Sequence, residues 1–328
     1  MSQWFGQSSF SRISAVDEKC VVRCPSPDDL AIYSPMGCGY QTGAGTVLNV
    51  LKPEPHQTVA VFGAGSVGFA ALMAAAALSV KQLIAVDIVE PKLALARELG
   101  ATHTINSSAI EGSVIDKIKE LTGGRGVDFA IDATGVPSVT EKMLDCLAFC
   151  GTAASVGVPP PTSKITVGLG AFVSGRKTWV SVTEGDSHPP EVCSALFISP
   201  EAGTLTDDEQ FIPKLIELHK QGKFPVEKIS RVYPVAELKK ALSDMKDGTV
   251  RTELLVCIRP SRANSSRSSN QSLHSKGAPT SNVDVLLLMK RGVEVSDVYA
   301  TSTTTSVDVG TIPRKHVTPF SILTTPVP

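Results

Sequence analysis

The segment VAVFGAGSVG, residues 59–68, carries the residue types and spacing that most directly predict chemistry. Three glycines follow its apolar run with the spacing G-x-G-x-x-G: Gly63, Gly65 and Gly68. In this pattern the first glycine permits a tight turn, the second lets the backbone approach a pyrophosphate, and the third lets a helix pack closely on the strand. Ser66 and Val67 then begin the helix, whose N-terminal amide groups and dipole favour a bound phosphate. The segment therefore predicts a dinucleotide-binding turn.

Asp87 closes the next apolar run, LIAVD, where dinucleotide-binding folds place the acid that binds the adenosine ribose, about 20 residues after the glycines. Its carboxylate can accept hydrogen bonds from both ribose hydroxyls and would repel a 2′-phosphate. The next residues, Ile88 and Val89, offer no cation to offset that repulsion. NAD is therefore favoured over NADP. A glycine-rich turn in another kind of α/β protein is the alternative, but strand, glycines, helix, second strand and acid occur here together.

Cys38 is a second candidate for chemistry, since it lies among four glycines in GCGYQTGAG, residues 37–45. It could be a metal ligand, a nucleophile or a packing residue. A catalytic zinc takes three protein ligands, usually cysteine and histidine. Cys20 and Cys24 precede Cys38 in a C-x-x-x-C spacing that is unusual for zinc, and their apolar surroundings favour a structural role. The six histidines are scattered without an H-x-x-x-H pattern, so we assign neither a second ligand nor a catalytic residue.

The elements that position these residues alternate between short apolar runs and helical segments from about residue 10 to residue 258. The predicted strands are 58–63, 83–87, 128–134, 151–157 and 252–257. The predicted helices are 67–78, 91–100, 113–124, 138–149, 211–224 and 235–248. Ser138 is the predicted N-cap of the fourth helix, and Pro91 lies in the first turn of the second. The fold class is therefore α/β, a doubly wound parallel sheet of the Rossmann type.

The amino-acid composition indicates which classes of binding partner are favoured. The 328 residues are 42% hydrophobic and carry a formal charge of -1, from 31 basic and 32 acidic residues. This balance does not favour nucleic acid or an anionic membrane, and no apolar run is long enough to span a bilayer. The first residues, MSQWFGQSSF, lack the features of a secretory signal, and the cysteines lack a disulfide-framework spacing. We expect a cytoplasmic protein with a small-molecule partner.

Several blocks, taken in order, resemble the medium-chain, zinc-dependent alcohol dehydrogenases, and within them the aryl-alcohol (benzyl-alcohol) branch. These blocks are GCGYQTGAGTVLNVLKPEP, AVFGAGSVGFAALMAA, IAVDIVEPKLALARELGATHTIN, GGRGVDFAIDATGVP, VGVPPP and VTEGDS. The resemblance implies NAD(P)-linked hydride transfer at a zinc-bound alkoxide, between an alcohol and its aldehyde or ketone.

The resemblance also implies roles for individual residues. Cys38 matches the third ligand of the catalytic zinc, and Lys92 a lysine that helps to hold the adenosine ribose. Val158 belongs to a loop near the nicotinamide, and Arg251 matches an arginine that reaches the pyrophosphate. A surface lysine, a core valine and a solvated arginine remain the alternatives. The segment GRKTWVSVT, residues 175–183, resembles the edge strand through which family members form homodimers.

The resemblance suggests the following division of the chain. A remnant of the family's GroES-like catalytic domain occupies 1–36, the NAD-binding domain 37–186, an insertion loop 187–210, the C-terminal helices and strand 211–258, and a Ser/Thr-rich disordered tail 259–328. The family's other two zinc ligands belong to the part of the GroES-like domain that has no counterpart here, so zinc is implied by the family while Cys38 is its one matching ligand. Three interpretations stay open: an alcohol dehydrogenase, a non-catalytic NAD-binding protein or truncated gene product, and a zinc-independent medium-chain reductase.

Overall fold

Six parallel strands form the centre of the protein, seen in a computed structural model that describes residues 22, 24–25, 29–187, 211–246, 253–258 and 284–287. The strands are β1 (Thr58–Phe62), β2 (Gln82–Asp87), β3 (His103–Asn106), β4 (Val127–Asp132), β5 (Leu147–Ser155) and β6 (Thr178–Ser181). Their order is β3-β2-β1-β4-β5-β6, and every neighbouring pair is parallel. The order reverses between β1 and β4, where doubly wound folds open a crevice at the carboxyl ends of the strands. The predicted fold class is confirmed.

Helices cover both faces of this sheet and also precede and follow it in the chain. They are α1 (Leu30–Tyr33), α2 (Gly39–Gly45), α3 (Ser66–Ala77), α4 (Glu90–Glu98), α5 (Val114–Leu121), α6 (Pro137–Asp145), α7 (Leu169–Ser174), α8 (Phe211–Lys220) and α9 (Leu238–Lys246). Short 3-10 turns occupy Ser34–Gly37, Glu184–Asp186, Val226–Lys228 and Val235–Glu237, and a π-helical turn occupies Thr46–Leu51. Among the described residues, no helix has the length and apolar character needed to cross a membrane.

The core has two parts because successive side chains of a strand point to opposite faces of the sheet. Val59 and Val61 of β1 pack in the cluster that contains α2, α3 and α8. Ala60 and Phe62 pack in the cluster on the other face, beneath α5 and α6. Both faces of β1 are therefore covered, as expected for a central strand of a parallel sheet.

The start of α6 differs from the prediction. Val136, not Ser138, is the N-cap, and Pro137 takes the first helical position. Proline favours this position because its ring holds φ near the helical value and its missing N–H would have had no partner. The helix ends at Asp145 rather than at residue 149, since β5 already begins at Leu147.

The helix α2 forms although three of its seven residues, GYQTGAG, are glycines with low helix propensity. Packing explains it. A Cβ atom on Gly43 would lie 1.9 Å from the carbonyl oxygen of Val67 in α3, and one on Gly45 would lie 2.4 Å from the carbonyl oxygen of Gly185. Because these glycines have no side chains, α2 approaches both neighbours backbone to backbone, a tertiary contact that sequence periodicity does not reveal.

Side-chain hydrogen bonds join the amino ends of β1 and β4. The Asp128 carboxylate accepts hydrogen bonds from the backbone N–H and the hydroxyl of Thr58, both at 2.8 Å. The Thr58 hydroxyl oxygen in turn accepts from the Asp128 N–H at 2.9 Å. These reciprocal bonds hold the register between two strands that lie far apart in sequence.

A second, three-stranded sheet follows α8. It consists of β7 (Ser230–Pro234), β8 (Glu253–Ile258) and β9 (Asp284–Leu287), in the order β7-β8-β9, and β9 is antiparallel to β8. The strand predicted at 252–257 is thus present, shifted by one residue. The strand β9 was not predicted, because the Ser/Thr-rich composition of 259–328 obscured the short apolar run VDVLLL. The rest of that tail, residues 1–21 and the predicted insertion beyond Ser187 lie outside the described residues.

The contact between α2 and α3 yields a stability prediction. Gly43→Ala should lower the free energy of unfolding by about 2 kcal/mol or more, since the added methyl group must push the α3 backbone away. Gly170→Ala in α7 is the matched control, because a Cβ atom there meets nothing within 4 Å. Denaturant titration of both variants should show the loss only at Gly43, and equal effects would contradict the packing described.

Candidate functional site

The glycine turn, residues 63–68, lies at the carboxyl end of β1. Gly63 has a φ of +92°, a left-handed conformation that favours glycine, and its N–H donates to the Val86 carbonyl oxygen at 2.8 Å. A Cβ atom on Gly68 would lie 1.9 Å from the carbonyl oxygen of Gly63, so this glycine is required for helix and turn to pack. At Gly65, by contrast, a Cβ atom would meet nothing within 4 Å. The turn therefore leaves an open cradle beside Gly65.

The N-terminus of α3 faces this cradle. Gly65 is its N-cap, in an extended conformation, and Ser66 and Val67 are its first two residues. No side-chain hydrogen bond caps α3 in the described part of the chain, so the first amide groups need another partner. The positive end of the helix dipole also lies at these amide groups, so the site favours binding of a pyrophosphate.

Asp87 lies at the end of β2, directly beside the glycine turn, and is only 9% exposed. Its carboxylate accepts hydrogen bonds from the N–H of Ala64 at 2.7 Å and from the N–H of Val89 at 2.9 Å. A carboxylate has more acceptor sites than these two bonds use, so it can still accept from ribose hydroxyls. Asp87 thus holds the turn as well as facing the crevice. Lys92 lies half-buried in the first turn of α4.

Two loops border the crevice on the side of β4 and β5. They touch at their glycines: a Cβ atom on Gly135 would lie 2.8 Å from the Val158 carbonyl oxygen, and one on Gly157 would lie 2.1 Å from the Gly135 nitrogen. The side chains of Val136 and Val158 are 46% and 82% exposed. Val158 is therefore not a core valine, and these two side chains offer an apolar surface to a bound ring. Arg251 lies outside the described residues.

Cys38 lies half-buried at the N-cap of α2, and its thiol contacts a residue that sequence reasoning missed. The Sγ atom is 3.7 Å from Oε1 of Glu184. The side-chain amide of Gln41 donates to Oε2 of Glu184 at 2.8 Å and to the Gly37 carbonyl oxygen at 3.0 Å. Gln41 is buried, and its Oε1 atom has no hydrogen-bond partner among the described residues. The block VTEGDS was the available signal for Glu184, but it did not indicate a contact with Cys38.

A tight turn brings Glu184 to Cys38. Glu184 has a φ of +51° and Gly185 a φ of +70°. A Cβ atom on Gly185 would lie 2.3 Å from the Gln41 carbonyl oxygen, and the Asn49 side-chain amide donates to the Gly185 carbonyl oxygen at 3.0 Å. Desolvation in this packed turn raises the pKa of the neighbouring Asp186 carboxyl above its usual value.

The residues around Cys38 do not make up a complete zinc site. Zinc takes three protein ligands in a catalytic site, whereas the described residues contain no group of three or more His, Cys, Asp or Glu side chains that could hold a metal ion. Cys38 and Glu184 supply two donors. Cys24 is buried in the apolar cluster, as predicted for a packing residue, and His103 contacts the Thr102 hydroxyl at the start of β3. Cys20 lies outside the described residues.

Comparison with known proteins shows which family this chain is similar to. Residues 66–197 match the sequence model of the zinc-binding dehydrogenases. Over 255 residues the chain is 33% identical to geraniol dehydrogenase of Castellaniella defragrans, an alignment that covers 78% of this chain and 63% of that protein. The chain thus spans less than two thirds of the length of this curated relative.

Solved structures similar to this one include two that are more than a third identical in sequence. The alcohol dehydrogenase zinc-binding domain protein from Burkholderia ambifaria is 39% identical, with a TM-score of 0.60 over 70% of this chain and 55% of that chain. Benzyl alcohol dehydrogenase from Acinetobacter calcoaceticus is 36% identical, with a TM-score of 0.60 over 69% of this chain and 56% of that chain.

Gly65 and Gly68 have different surroundings, so substituting one should affect ligand binding and substituting the other should affect folding. Gly65→Ala should change the free energy of unfolding by less than about 1 kcal/mol, since its methyl group enters open space. It should raise the dissociation constant for NADH at least about tenfold, because the methyl group occupies the cradle. Gly68→Ala should instead destabilise the fold by about 2 kcal/mol or more. Fluorescence titration and denaturation measure the two effects, and unchanged NADH affinity in Gly65→Ala would argue against a pyrophosphate at the cradle.

Proposed function

Because the chain belongs to the medium-chain, zinc-type alcohol dehydrogenase family, we propose that it is an NAD-dependent oxidoreductase. It transfers a hydride between an alcohol, such as a primary aromatic alcohol, and the corresponding aldehyde or ketone. The observation that carries this proposal is the open cradle at Gly65, placed between the N-terminus of α3 and Asp87. The relatives named for geraniol and benzyl alcohol support a substrate whose hydroxyl-bearing carbon adjoins a double bond or an aromatic ring.

The geometry suits the cofactor that the family implies. In the proposed complex the amide groups of Ser66 and Val67 hold the pyrophosphate, and Asp87 accepts from the adenosine ribose hydroxyls. The 66% exposed Ile88 follows Asp87 without adding a cation, so a 2′-phosphate would meet uncompensated negative charge. We therefore favour NAD over NADP. Lys92 and Arg251 are the proposed further contacts to the ribose and the pyrophosphate.

The other half of the cofactor would lie over the ends of β4 and β5. There Val136 and Val158 present exposed apolar side chains that can pack on the nicotinamide ring and keep water from its face. When bound, the nicotinamide supplies the hydride acceptor or donor. What the protein contributes on this side is the orientation of the ring.

Zinc is implied by the family, and Cys38 is the proposed ligand. The described residues offer Cys38 and Glu184 as donors, which is fewer than the three that a catalytic zinc takes. The roles proposed for this chain's residues therefore concern only the binding of the nicotinamide cofactor. None of these roles involves a metal. The same observation favours a second candidate function, a non-catalytic NAD-binding protein.

The compartment proposed is the cytoplasm. Cys150 is an exposed thiol and Cys146 a buried one, and neither forms a disulfide in the described part of the chain. Burial raises the pKa of the Cys146 thiol to about 12, which keeps it protonated. In the reducing compartment that we propose, an exposed thiol such as Cys150 would remain a thiol.

We also propose a homodimer through the edge of the six-stranded sheet. On one side β6 pairs with β5, and no other strand pairs with it among the described residues. Trp179 of β6 is 44% exposed, and α7, the helix between β5 and β6, exposes Leu169 and Val173. A second copy related by a two-fold axis could pair with this edge and cover these side chains.

The activity is tested by mixing the purified full chain with benzyl alcohol and either NAD or NADP in its oxidised form. NADH should form at least about ten times faster than NADPH at equal nucleotide concentration, a preference equivalent to about 1.4 kcal/mol. Asp87→Asn should reduce that preference, because the amide keeps an acceptor for the Ala64 N–H but carries no charge. Zinc content is measured on the same sample. NADH binding without turnover would favour the non-catalytic candidate, and absence of binding would contradict both.

The dimer is tested by Trp179→Glu, which places a charge at the centre of the proposed interface. Light scattering should show a dimer for the native chain and a monomer for this variant, because burying an unpaired carboxylate opposes association. Lys81→Glu is the control, since this exposed residue precedes β2 on the far side of the sheet. A native chain that is monomeric at micromolar concentration would contradict the proposed interface.

A further inference from the structure

Asp132 is a buried carboxylate to which the proposed function assigns no task. It is the last residue of β4 and is 1% exposed. It lies between the ends of two strands, opposite Phe62 of β1 and Ser155 of β5. A charge in such a position is unfavourable unless hydrogen bonds compensate for its lost hydration, so its partners indicate what it does.

Among the described residues, the hydrogen-bond donors to the Asp132 side chain all belong to threonines. Oδ1 accepts from the backbone N–H of Thr134 at 2.8 Å and from its hydroxyl at 2.6 Å. Oδ2 accepts from the hydroxyl of Thr140 in α6 at 2.6 Å. The Thr134 hydroxyl oxygen then accepts from the N–H of Val136 at 3.1 Å. One carboxylate thus orders residues 133–136, which we term the rim loop, and ties this loop to α6. Bonds to an ionised acceptor are stronger than neutral ones, so the loop is firmly held.

The rim loop touches both neighbouring loops of the crevice. On one side, Cγ2 of Thr134 lies 2.7 Å from the point where a Cβ atom of Gly63 would be. On the other side, neither Gly135 nor Gly157 has room for a Cβ atom, so the rim loop packs backbone to backbone against the loop that holds Val158. The backbone of the rim loop is also joined to β1, since the Ala133 N–H donates to the Phe62 carbonyl oxygen at 2.9 Å. The separation between the glycine turn and Val158 therefore depends on where the rim loop lies.

We propose that Asp132 is a positioning residue of the cofactor site: through Thr134 it sets the spacing between the glycine turn and the Val158 loop, and so the two sides between which the dinucleotide binds. This inference rests on the proposed function, since it concerns the same site. Asp132 itself does not touch the cofactor. It acts through the rim loop, whose Thr134 and Val136 line the crevice.

Thr134 and Thr140 provide a matched pair of variants. Each hydroxyl donates one bond of the same length to the same carboxylate. Thr134 belongs to the rim loop, whereas Thr140 is 8% exposed inside α6, where its backbone N–H still bonds to the Val136 carbonyl oxygen after substitution. Each hydroxyl also has a second contact with Val136: the Thr134 hydroxyl oxygen accepts from its N–H at 3.1 Å, and the Thr140 hydroxyl donates to its carbonyl oxygen at 3.4 Å. Thr134→Val and Thr140→Val therefore each remove one hydroxyl bond to Asp132, but only the first removes the hydroxyl that joins Asp132 to the rim loop. Both keep a branched side chain and nearly the same volume.

The experiment measures NADH affinity by fluorescence titration and stability by denaturation, on the full chain. Thr134→Val should raise the NADH dissociation constant about tenfold, and Thr134→Ser, which keeps the hydroxyl, should restore it to within about threefold of the native value. Thr140→Val should lose as much stability as Thr134→Val while its dissociation constant stays within about twofold. Asp132→Asn, which removes the charge but keeps one acceptor oxygen, should also raise the dissociation constant.

The outcomes separate this inference from the function on which it rests. If the native chain does not bind NADH, the proposed function fails and the inference fails with it. If the native chain binds NADH but Thr134→Val leaves the affinity unchanged, Asp132 does not position the site. Equal losses of affinity in Thr134→Val and Thr140→Val, in proportion to stability, would show that Asp132 serves folding alone.

Discussion

The backbone of residues 63–68 is in contact with other parts of the protein on nearly every side, and the rest of the structure depends on this close packing. Gly43 of α2 meets the carbonyl oxygen of Val67, and Gly68 meets that of Gly63. Asp87 binds the Ala64 N–H, while the rim loop lies against Gly63. Contacts of this kind leave no room for a methyl group. Moving the packed backbone to make room for one would lower the free energy of unfolding. The one open direction, beside Gly65, is therefore well defined.

Two carboxylates flank this turn, and their negative charge has to be reconciled with the anionic dinucleotide that we propose as the ligand. Asp87 ends β2 and Asp132 ends β4, on either side of β1. Neither has a cation among its hydrogen-bond partners described above; each is satisfied by N–H and O–H donors. The N-terminus of α3 supplies the opposing positive potential, so the sign of the field changes over a short distance across the crevice. This field favours a diphosphate at the helix end and disfavours a further phosphate near Asp87, as the proposed preference for NAD requires.

The sequence was most informative where function depends on local backbone geometry. The glycine spacing and Asp87 could be found because a turn, a strand end and a helix start each have a short signature. Glu184 could not, since it lies 146 residues from Cys38 and reaches it only through a left-handed turn packed on α2. The helix α2 was missed for a related reason: its glycines oppose helix formation locally and favour it only when α3 is present. Tertiary contacts decided both cases.

The reciprocal bonds between Thr58 and Asp128 have a consequence for synthesis of the chain on the ribosome. The two residues are 70 positions apart, and β1 needs β4 to complete its central place in the sheet. Until β4 has emerged, the five buried residues of β1 have β2 as a neighbour on one edge and an open edge on the other. An open apolar edge invites association with other chains. The time needed to translate residues 88–132, from the end of β2 to the end of β4, is thus an interval in which this edge can associate with other chains.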